Sequence, residues 1–397
     1  MIVTVHKRRL ILVIFGSLIL WLVIKQYLFC PSFSFTSTGP FAGKFFYNPY
    51  DSIRSDHWIK CNFHAHTNAW HGLTHGRGTA KDVYHTYDSM HYAIHCVSDY
   101  QLINKTYANT PHFIPAYEHG YNFGKTHQLV LGSNDVKWLD YPFPQSVDNK
   151  QDVLNALKEA DNVVIVNHPS SFRGYNASDF KYLSSYNCME VLSPYAISTA
   201  CWDTALSNGN PAFIVANDDE HNIFSKTGVA RMCTWINVDS KDKRTVLSAL
   251  KKGESYGMIL GSCHDQLPQL QGLEISGDTL FLKMTQQADQ ISFIGQNGKL
   301  LNAQKNACSA KYVIKKEDRY VRAVIDYPSG TSIFLNPVFR YDKTIKLSSS
   351  FHVNSYLTNF KRVIGLLLFV IWARIAFQYA FSSRSRKSLV IKPLAFQ

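Results

Sequence analysis

Between residues 57 and 258, short apolar runs alternate with stretches whose apolar residues recur at helical spacing, and this alternation constrains the fold most. Examples are the runs VVIVNHP and CMEVLSP and the helical stretches KQDVLNALKEAD and KDKRTVLSALKKG. Strands separated by helices of about 10 to 15 residues form βαβ units and a largely parallel sheet. We therefore expect an α/β domain over 57–258, as a barrel or a doubly wound sheet.

The pattern changes in residues 259–350, where apolar and polar residues alternate as in strands. Turn signals such as Ser-Gly-Asp and Gln-Asn-Gly separate these runs, with no good helix between them. We expect a small antiparallel β domain here. It contains only one histidine, His264, so its expected role is packing or substrate shaping.

The N-terminal end of the chain carries a long apolar segment. Residues 10–24 contain no charge, follow Lys7-Arg8-Arg9, and continue past Lys25 as far as Phe29, which is nearly one bilayer span. Because no A-x-A cleavage site follows, we expect an uncleaved anchor over residues 1–30 with its cytoplasmic end first. Residues 31–56 are rich in Ser, Pro, Gly and aromatics and are expected to form a linker.

A second apolar segment, 363–381, lies near the C-terminus and is interrupted by Arg374. An arginine at the centre of a spanning helix costs about 2.5 to 3.5 kcal/mol, which the surrounding apolar residues can offset. We expect residues 360–397 to form a second membrane segment followed by a basic tail. Residues 31–359 would then lie on the extracytoplasmic side of the membrane.

The formal net charge of +12 at pH 7 does not by itself indicate nucleic-acid binding. Lysines and arginines are scattered, and no basic block is interleaved with stacking aromatics. Part of the excess lies at the two ends, where basic clusters act as topology signals. We therefore expect the membrane as a partner, and no nucleic acid.

Histidine is concentrated in one part of the chain, because 11 of the 16 histidines fall between His57 and His127. His64 and His66 are separated by one residue at the end of an extended run, so both side chains point to the same face and can bind one metal ion. Other metal-binding side chains also follow apolar runs: Glu118, His127, His168, Asp219 and His221. In an α/β barrel such strand ends converge in one mouth, and a mixed histidine and carboxylate set suits zinc, manganese or iron.

With these residues the sequence resembles the polymerase and histidinol phosphatase (PHP) family. The resemblance covers residues 57–222 and rests on motifs that occur in the family's order: His64-Ala-His66-Thr, Ser98-Asp99, Glu118 after an apolar run, His168-Pro169 and Asp219-Glu-His221. It implies a distorted seven-stranded (βα) barrel that holds two or three divalent metal ions and hydrolyses phosphate esters.

The resemblance also implies a set of metal ligands. One ion would be bound by His64, His66, Glu118 and Asp219, with Glu118 bridging to a second ion held by His127 and His168. A third ion would use His71 and His221. The chain departs from the family pattern at two positions: Tyr100 stands where a histidine of the third site normally follows the Ser-Asp motif, and Asn62 stands where an aspartate is usual.

The function implied is hydrolysis of a phosphomonoester or phosphodiester by a metal-activated hydroxide. The residues expected to be catalytic are Glu118, Asp219, His221 and Arg173. Arg173 would bind a phosphate oxygen, as Arg77 also could, and His221 or His71 would protonate the leaving group. The expected substrate is a phosphorylated small molecule or a lipid head group.

Two other classes of function stay open at this point. The first is a non-phosphate hydrolase of the amidohydrolase kind, with a similar binuclear site. The second is a membrane-tethered binding module, inactive as an enzyme and stabilised by metal, in which Asn62 and Tyr100 mark lost activity.

Overall fold

The computed structural model describes residues 7–36, 39–172, 174–225, 227–262, 266–342 and 350–381. The chain divides into two compact units, Met1–Ser32 with Val353–Gln397, and Phe33–His352. We refer to them as the terminal unit and the central unit and describe each by itself.

The helices are α1 (Lys7–Ile24), α2 (Ala80–Ser89), α3 (Val147–Leu157), α4 (Thr199–Ser207), α5 (Lys243–Lys252) and α6 (Ser355–Phe381). The strands up to residue 216 are β1 (Phe33–Thr36), β2 (Phe45–Tyr47), β3 (Trp58–Asn62), β4 (Ile94–His95), β5 (Ala116–His119), β6 (Gln128–Leu131), β7 (Val163–Val166), β8 (Cys188–Ser193), β9 (Ala196–Ile197) and β10 (Phe213–Ala216). The later strands are β11 (Met232–Asn237), β12 (Ser255–Ile259), β13 (Leu270–Ser276), β14 (Thr279–Gly295), β15 (Lys299–Val313), β16 (Tyr320–Asp326), β17 (Ser332–Leu335), β18 (Val338–Tyr341) and β19 (Ser350–Val353).

The terminal unit consists of α1, a π-helical turn at Lys25–Phe29, and α6. The indole of Trp372 donates a hydrogen bond from Nε1 to Ser17 Oγ at 2.9 Å. By length and composition, Lys7–Phe29 and Ser355–Phe381 are both able to cross a membrane. Both segments expected to span are therefore helices of suitable length, whereas the side of the membrane on which the rest lies stays a prediction.

One sheet of the central unit has six strands in the order β10, β8, β7, β6 and β5, with β9 paired to β8. The pairs β10/β8 and β8/β7 are parallel, whereas β7/β6 and β6/β5 are antiparallel. The expectation of a largely parallel sheet is thus only partly confirmed. Residues 120–127 are too few to form the crossover that a parallel β5/β6 pair would need.

The other large sheet has eleven strands and runs β13, β14, β16, β17, β12, β11, β3 and β4, with β15, β18 and β2 attached beside this path. The strands from β13 to β18 pair antiparallel, as their alternating pattern predicts. They continue the same sheet as β3 and β4. The expected linker, 31–56, contains β1 and β2, and β2 pairs with β18.

A seven-stranded barrel is not confirmed. The apolar runs expected to form it lie in two sheets: β3 and β4 in the larger sheet, and β5 to β8 and β10 in the smaller one. Isolated parallel bridges join Tyr100 to Glu118 and Ala65 to Glu220. Within the described residues these bridges link the sheets at two points, without a continuous ladder of hydrogen bonds.

Local sequence signals explain where α5 begins and ends. Asp242 caps its N-terminus by accepting a hydrogen bond from the Thr245 amide at 3.1 Å. Gly253 ends the helix with φ +73°, and a Cβ there would lie 2.4 Å from the ring of Phe213. Since Val246 and Leu250 are fully buried, the apolar face of α5 packs into the core beside the six-stranded sheet.

Candidate metal centre

The donor side chains all leave one edge of the central unit. His64 and His66 follow the end of β3, and Glu118 lies near the end of β5. His127 comes immediately before β6, and because β6 is antiparallel to β5, its start lies at the same edge as the end of β5. His168 follows the end of β7, which lies at this same edge because β7 is antiparallel to β6. Residues far apart in sequence therefore meet where these strands end.

The structure places the expected donors in two groups that share one carboxylate. His64, His66, Glu118 and Asp219 form the first group, and Glu118, His127 and His168 form the second. Within each group, one ligand atom from every residue lies within 4.8 Å of the others, and all six side chains are buried.

The atoms of the first group lie at the corners of a small tetrahedron. Nε2 of His64 lies 3.3 Å from Glu118 Oε2 and 3.1 Å from Asp219 Oδ1. Nε2 of His66 lies 3.1 Å and 3.3 Å from the same two oxygens, and the two nitrogens are 3.2 Å apart. Ligands about 2.0–2.2 Å from a tetrahedral ion lie roughly 3.3–3.6 Å from each other. The spacing thus fits a single four-coordinate ion.

The second group is built around the other oxygen of Glu118. Oε1 lies 2.9 Å from Nδ1 of His127 and 3.5 Å from Nε2 of His168, and it accepts a hydrogen bond from Asn167 Nδ2 at 3.0 Å. The same nitrogen of His168 is 3.6 Å from Asp219 Oδ2. Each carboxylate therefore reaches both groups, an arrangement suited to two ions bridged by Glu118.

Several buried atoms of the cluster have no hydrogen-bond partner among the described residues. They include Glu118 Oε2 and Asp219 Oδ1, although histidine nitrogens lie only 3.1–3.3 Å away. These contacts are close without hydrogen-bond geometry, because the atoms point toward a common centre. Buried polar atoms are rarely left unpaired in proteins, and a metal ion would satisfy them.

Two donor residues also have strained backbones. His168 has φ +25° and Asp219 has φ +46°, in a region that side-chain-bearing residues seldom adopt. Such strain collects at functional sites, where the surrounding structure holds it in place. The backbone is thus held in conformations that aim these two side chains at the cluster.

The electrostatics of the cluster follow from burial and from mutual attraction. Burial would lower the pKa of His64, but Asp219, Glu118 and Glu190 raise it well above its usual value. Burial likewise opposes protonation of His66, but the carboxylates of Asp219 and Glu118 beside its Nε2 raise its pKa to about 9. In turn, burial would raise the pKa of Glu118, but His127 and His64 hold it well below the normal range. The carboxylates are therefore ionised and ready to bind a cation.

Glu190 is a site residue that the sequence interpretation missed. Its Oε1 lies 3.1 Å from Nδ1 of His64, and its Oε2 accepts the backbone amide of His168 at 3.1 Å. A hydrogen on Nδ1, donated to Glu190, leaves Nε2 of His64 with the lone pair that binds metal. In the sequence, the signal that could have revealed Glu190 is a carboxylate inside the apolar run Cys188–Ser193.

A further missed interaction orders the loop after His66. The carboxylate of Asp99 accepts hydrogen bonds from the amide of Thr67 at 2.7 Å and from its hydroxyl at 2.8 Å. The Ser98 hydroxyl accepts the amide of Ala65 at 3.2 Å. The Ser98-Asp99 pair thus anchors the backbone on both sides of His66.

Of the remaining expected residues that the structure describes, His221 lies at the margin of the cluster and His71 belongs to neither donor group. The side chain of His221 is 25% exposed, its Nε2 lies 3.5 Å from Asp219 Oδ1, and its ring stacks on His66 at 4.2 Å between centroids. Tyr100 stacks on His66 at 4.7 Å. His71 is exposed, with φ +55°, and belongs to neither donor group. Arg173 lies outside the described residues.

Comparison with known proteins finds a distant structural likeness. No family model matches this chain, and no curated protein is significantly similar to it. A solved structure from Bacteroides vulgatus, of a two-domain protein containing a predicted PHP-like metal-dependent phosphoesterase, is similar with a TM-score of 0.36 and 11% identity. The match covers 77% of this chain and 91% of that chain. The likeness is distant, and the chemistry proposed below follows from the donor cluster itself.

Proposed function

We propose that this protein is a membrane-anchored, metal-dependent phosphoesterase that hydrolyses a phosphomonoester or phosphodiester. The observation that carries the proposal is the pair of buried donor groups joined by Glu118. His64, His66, Glu118 and Asp219 would hold one divalent ion, and Glu118, His127 and His168 a second. Zinc, manganese and iron all suit this mixed donor set.

Bound ions would supply a hydroxide at neutral pH and neutralise the ester oxygens. The chain's own residues determine the geometry around them. Glu190 and Asn167 fix the orientations of His64 and Glu118 through the hydrogen bonds described above. His221, partly exposed at the margin of the cluster, is the residue proposed to give a proton to the leaving oxygen. Arg173 and the exposed Arg77 are the cations proposed to bind a phosphate oxygen.

Two ions fit these residues better than three. A third ion was expected to use His71 together with His221, but His71 is exposed and belongs to neither group. The ring of Tyr100 lies against His66 and 6.2 Å from the ring of His221. A tyrosine at this position offers no imidazole nitrogen to a third ion. The role of His71 in a third site stays a prediction.

We further propose that the central unit lies on the extracytoplasmic side of the membrane. The support is the order of basic and apolar residues around α1, together with a second helix long enough to span. Asn176, in the sequon Asn176-Ala-Ser, is exposed and offers a test. In endoplasmic-reticulum microsomes the full chain should acquire a glycan that N176Q lacks, and protection of this site from glycosylation would reverse the proposed topology.

The activity is tested with the full chain purified in detergent and loaded separately with zinc, manganese or iron. Phosphate release is measured over a panel of monoesters and diesters. We expect turnover that is lost in both His64→Ala and Asp219→Asn and retained in His112→Ala, a matched change at an exposed histidine. Two bound ions per chain without turnover of any phosphate ester would overturn the proposed activity.

A further inference from the structure

Four large apolar side chains on the loops that carry the donors are solvent-exposed. Leu73 and Phe123 are each 80% exposed, Phe224 is 66% exposed and Phe172 is 64% exposed. Among the described residues of the central unit, no other large apolar side chain exceeds 60%. We call these four residues the rim. Exposed apolar surface concentrated in one place commonly marks a binding site.

Each rim residue is close in sequence to a donor. Leu73 follows His66 in the same loop, and Phe123 lies between Glu118 and His127. Phe172 follows a tight turn in which Ser171 donates its amide to the carbonyl of His168 at 2.8 Å. These loops therefore begin at the strand ends where the donors meet.

Backbone contacts also join two of these loops. Phe224 comes three residues after His221, and residue 222 of its loop forms a parallel bridge with Arg77. Arg77 donates its amide to the carbonyl of His221 at 2.8 Å. A Cβ on Gly78 would lie 3.4 Å from the ring of Phe224. Phe224 therefore packs across the loop that carries Leu73.

A second set of aromatic residues connects the rim to the donors. Tyr100 stacks on His66, and Trp70 donates from its indole nitrogen to the carbonyl of Tyr100 at 2.7 Å. On the other side, the ring of Tyr195 lies 6.4 Å from that of His221. Trp70 is 45% exposed and Tyr195 is 51% exposed. Because Leu73 donates its amide to the carbonyl of Trp70 at 3.1 Å, this aromatic set reaches the rim on the side of Tyr100.

One cation lies within this surface. Lys125, on the loop of Phe123, is exposed, and its Nζ lies 5.9 Å from the ring centroid of Tyr100. A ligand that contacts both the charged residues and the rim has an anionic group bound at the donors and Lys125. It also has an apolar group that extends from there onto the rim. Binding sites that combine a few charged groups with an apolar lining select ligands of this amphiphilic kind.

We propose that the substrate is an amphiphilic phosphate ester whose apolar chain lies on the rim. This inference rests on the proposed function and narrows its substrate class from phosphate esters in general to those with a long apolar group. Burial of the chain against the rim would strengthen binding with each added methylene, up to about fourfold per group. The ester could come from a membrane lipid or from a soluble amphiphile, since both share this chemistry.

The test measures binding, so that it does not depend on turnover. Ethyl-, butyl-, hexyl- and octylphosphonate are titrated by calorimetry into the full chain, in nanodiscs and loaded with zinc. We expect affinity to rise with chain length, by on the order of a hundredfold across the series. The triple variant Phe123→Ser, Phe172→Ser, Phe224→Ser should lose at least about half of this slope on a logarithmic scale. Its three side chains are highly exposed, so folding should be unaffected.

Phe281→Ser is the matched control, because Phe281 is an exposed phenylalanine (44%) on β14. This variant should show the same rise of affinity with chain length as the wild type. Its titrations also correct for partition of the phosphonates into the nanodisc. An affinity independent of chain length would overturn the rim proposal. This result can coexist with full turnover of short esters, so the proposed phosphoesterase activity would stand.

A vesicle arm separates the two sources. A lipid phosphomonoester in the bilayer that holds the protein is compared with a soluble alkyl phosphate of matched chain length. Faster turnover of the lipid supports a membrane source, and faster turnover of the dissolved ester supports a soluble one. If wild type and the triple variant turn over the lipid ester at equal rates, and likewise the soluble ester, the role of the rim is contradicted.

Discussion

The donor cluster leaves buried carboxylate oxygens without hydrogen-bond partners, whereas a second buried charge cluster in the central unit satisfies its carboxylate within the chain. That second cluster pairs Asp203 of α4 with Arg322 of β16 through two hydrogen bonds of 2.8 Å. Tyr320 donates a third from its hydroxyl to Asp203 Oδ1 at 3.1 Å. The guanidinium also lies over the ring of Trp202, 4.8 Å from its centroid.

The two clusters differ in what compensates their buried charge. Asp203 faces a fixed cation in a bidentate geometry, so its charge is compensated by the fold itself. Glu118 and Asp219 face histidines whose nitrogen atoms point to the same space as the carboxylate oxygens. Compensation there needs protons or an added cation. A closed ion pair fits a structural role, and an open cluster fits metal binding.

The largest effect is expected from a change of Glu118, the residue that both donor groups share. Glu118→Gln keeps the size of the side chain but removes its charge, so both ions should be lost. Turnover should fall by about a thousandfold, equivalent to roughly 4 kcal/mol of transition-state stabilisation. Metal content by mass spectrometry and phosphate release measure the two effects, and normal metal content in this variant would contradict the bridging role.

The closed pair should show the opposite response. Asp203→Asn leaves the Arg322 charge buried without its anionic partner, so we expect the free energy of unfolding to fall by about 3 kcal/mol. Metal content should be unchanged. Chemical denaturation of the full chain in detergent measures the loss.

Asp56→Asn is the matched control for the closed pair. The side chain of Asp56 is 74% exposed and lies 4.0 Å from the guanidinium of Arg54. Its loss should change stability by less than about 0.5 kcal/mol. Similar losses in the two aspartate variants would show that burial does not distinguish these ion pairs.

The pH dependence of metal binding sharpens the description of the open cluster. Since the pKa of His66 is raised to about 9, this imidazole carries a proton at neutral pH until an ion displaces it. Affinity for zinc should therefore fall as the pH drops from about 9 to about 7, by about tenfold per unit for each proton released. Above the raised pKa the affinity should level off. Competition with a chromophoric chelator measures this, and a flat profile would mean that His66 is not a ligand.

The smallest effect is expected at Glu190, which contacts His64 and not the space between the donors. Glu190→Gln keeps an oxygen able to accept from Nδ1 of His64 but weakens that interaction. Metal affinity should fall by about tenfold, with the number of bound ions unchanged. Loss of a whole ion would instead make Glu190 a direct ligand.

How far the sequence predicts the site is clear from individual residues. His64 and His66 could be paired because strand periodicity puts them on one face, and the apolar runs before Glu118 and His168 marked those residues as strand ends. Glu190 could not be assigned in this way. Its contact with His64 joins residues 126 positions apart, one just after β3 and the other in β8 of a different sheet, so only the packing of the two sheets brings them together.

The fold was predictable to a similar extent. Helices α2 to α5 form where apolar residues recur at helical spacing, and the hairpin turn at Asn297-Gly298, with φ +58° and +72°, follows from its turn residues. The short connection 120–127 could have indicated the antiparallel β5/β6 pair. The antiparallel β6/β7 pair was not predictable, because α3 lies between these strands and strand direction leaves no mark in a strand's own residues.

Composition and local periodicity were enough to predict the two long apolar ends, the main helices and strands after residue 57 and the residues able to bind metal, whereas β1 and β2 in the expected linker were missed. The tertiary structure was needed to show that β3, β4 and the C-terminal strands share one sheet, that Glu190 contacts His64, and that His71 is exposed and belongs to neither donor group. Those features depend on strand register and loop path. Both are set by contacts between residues distant in the chain, which no local pattern encodes.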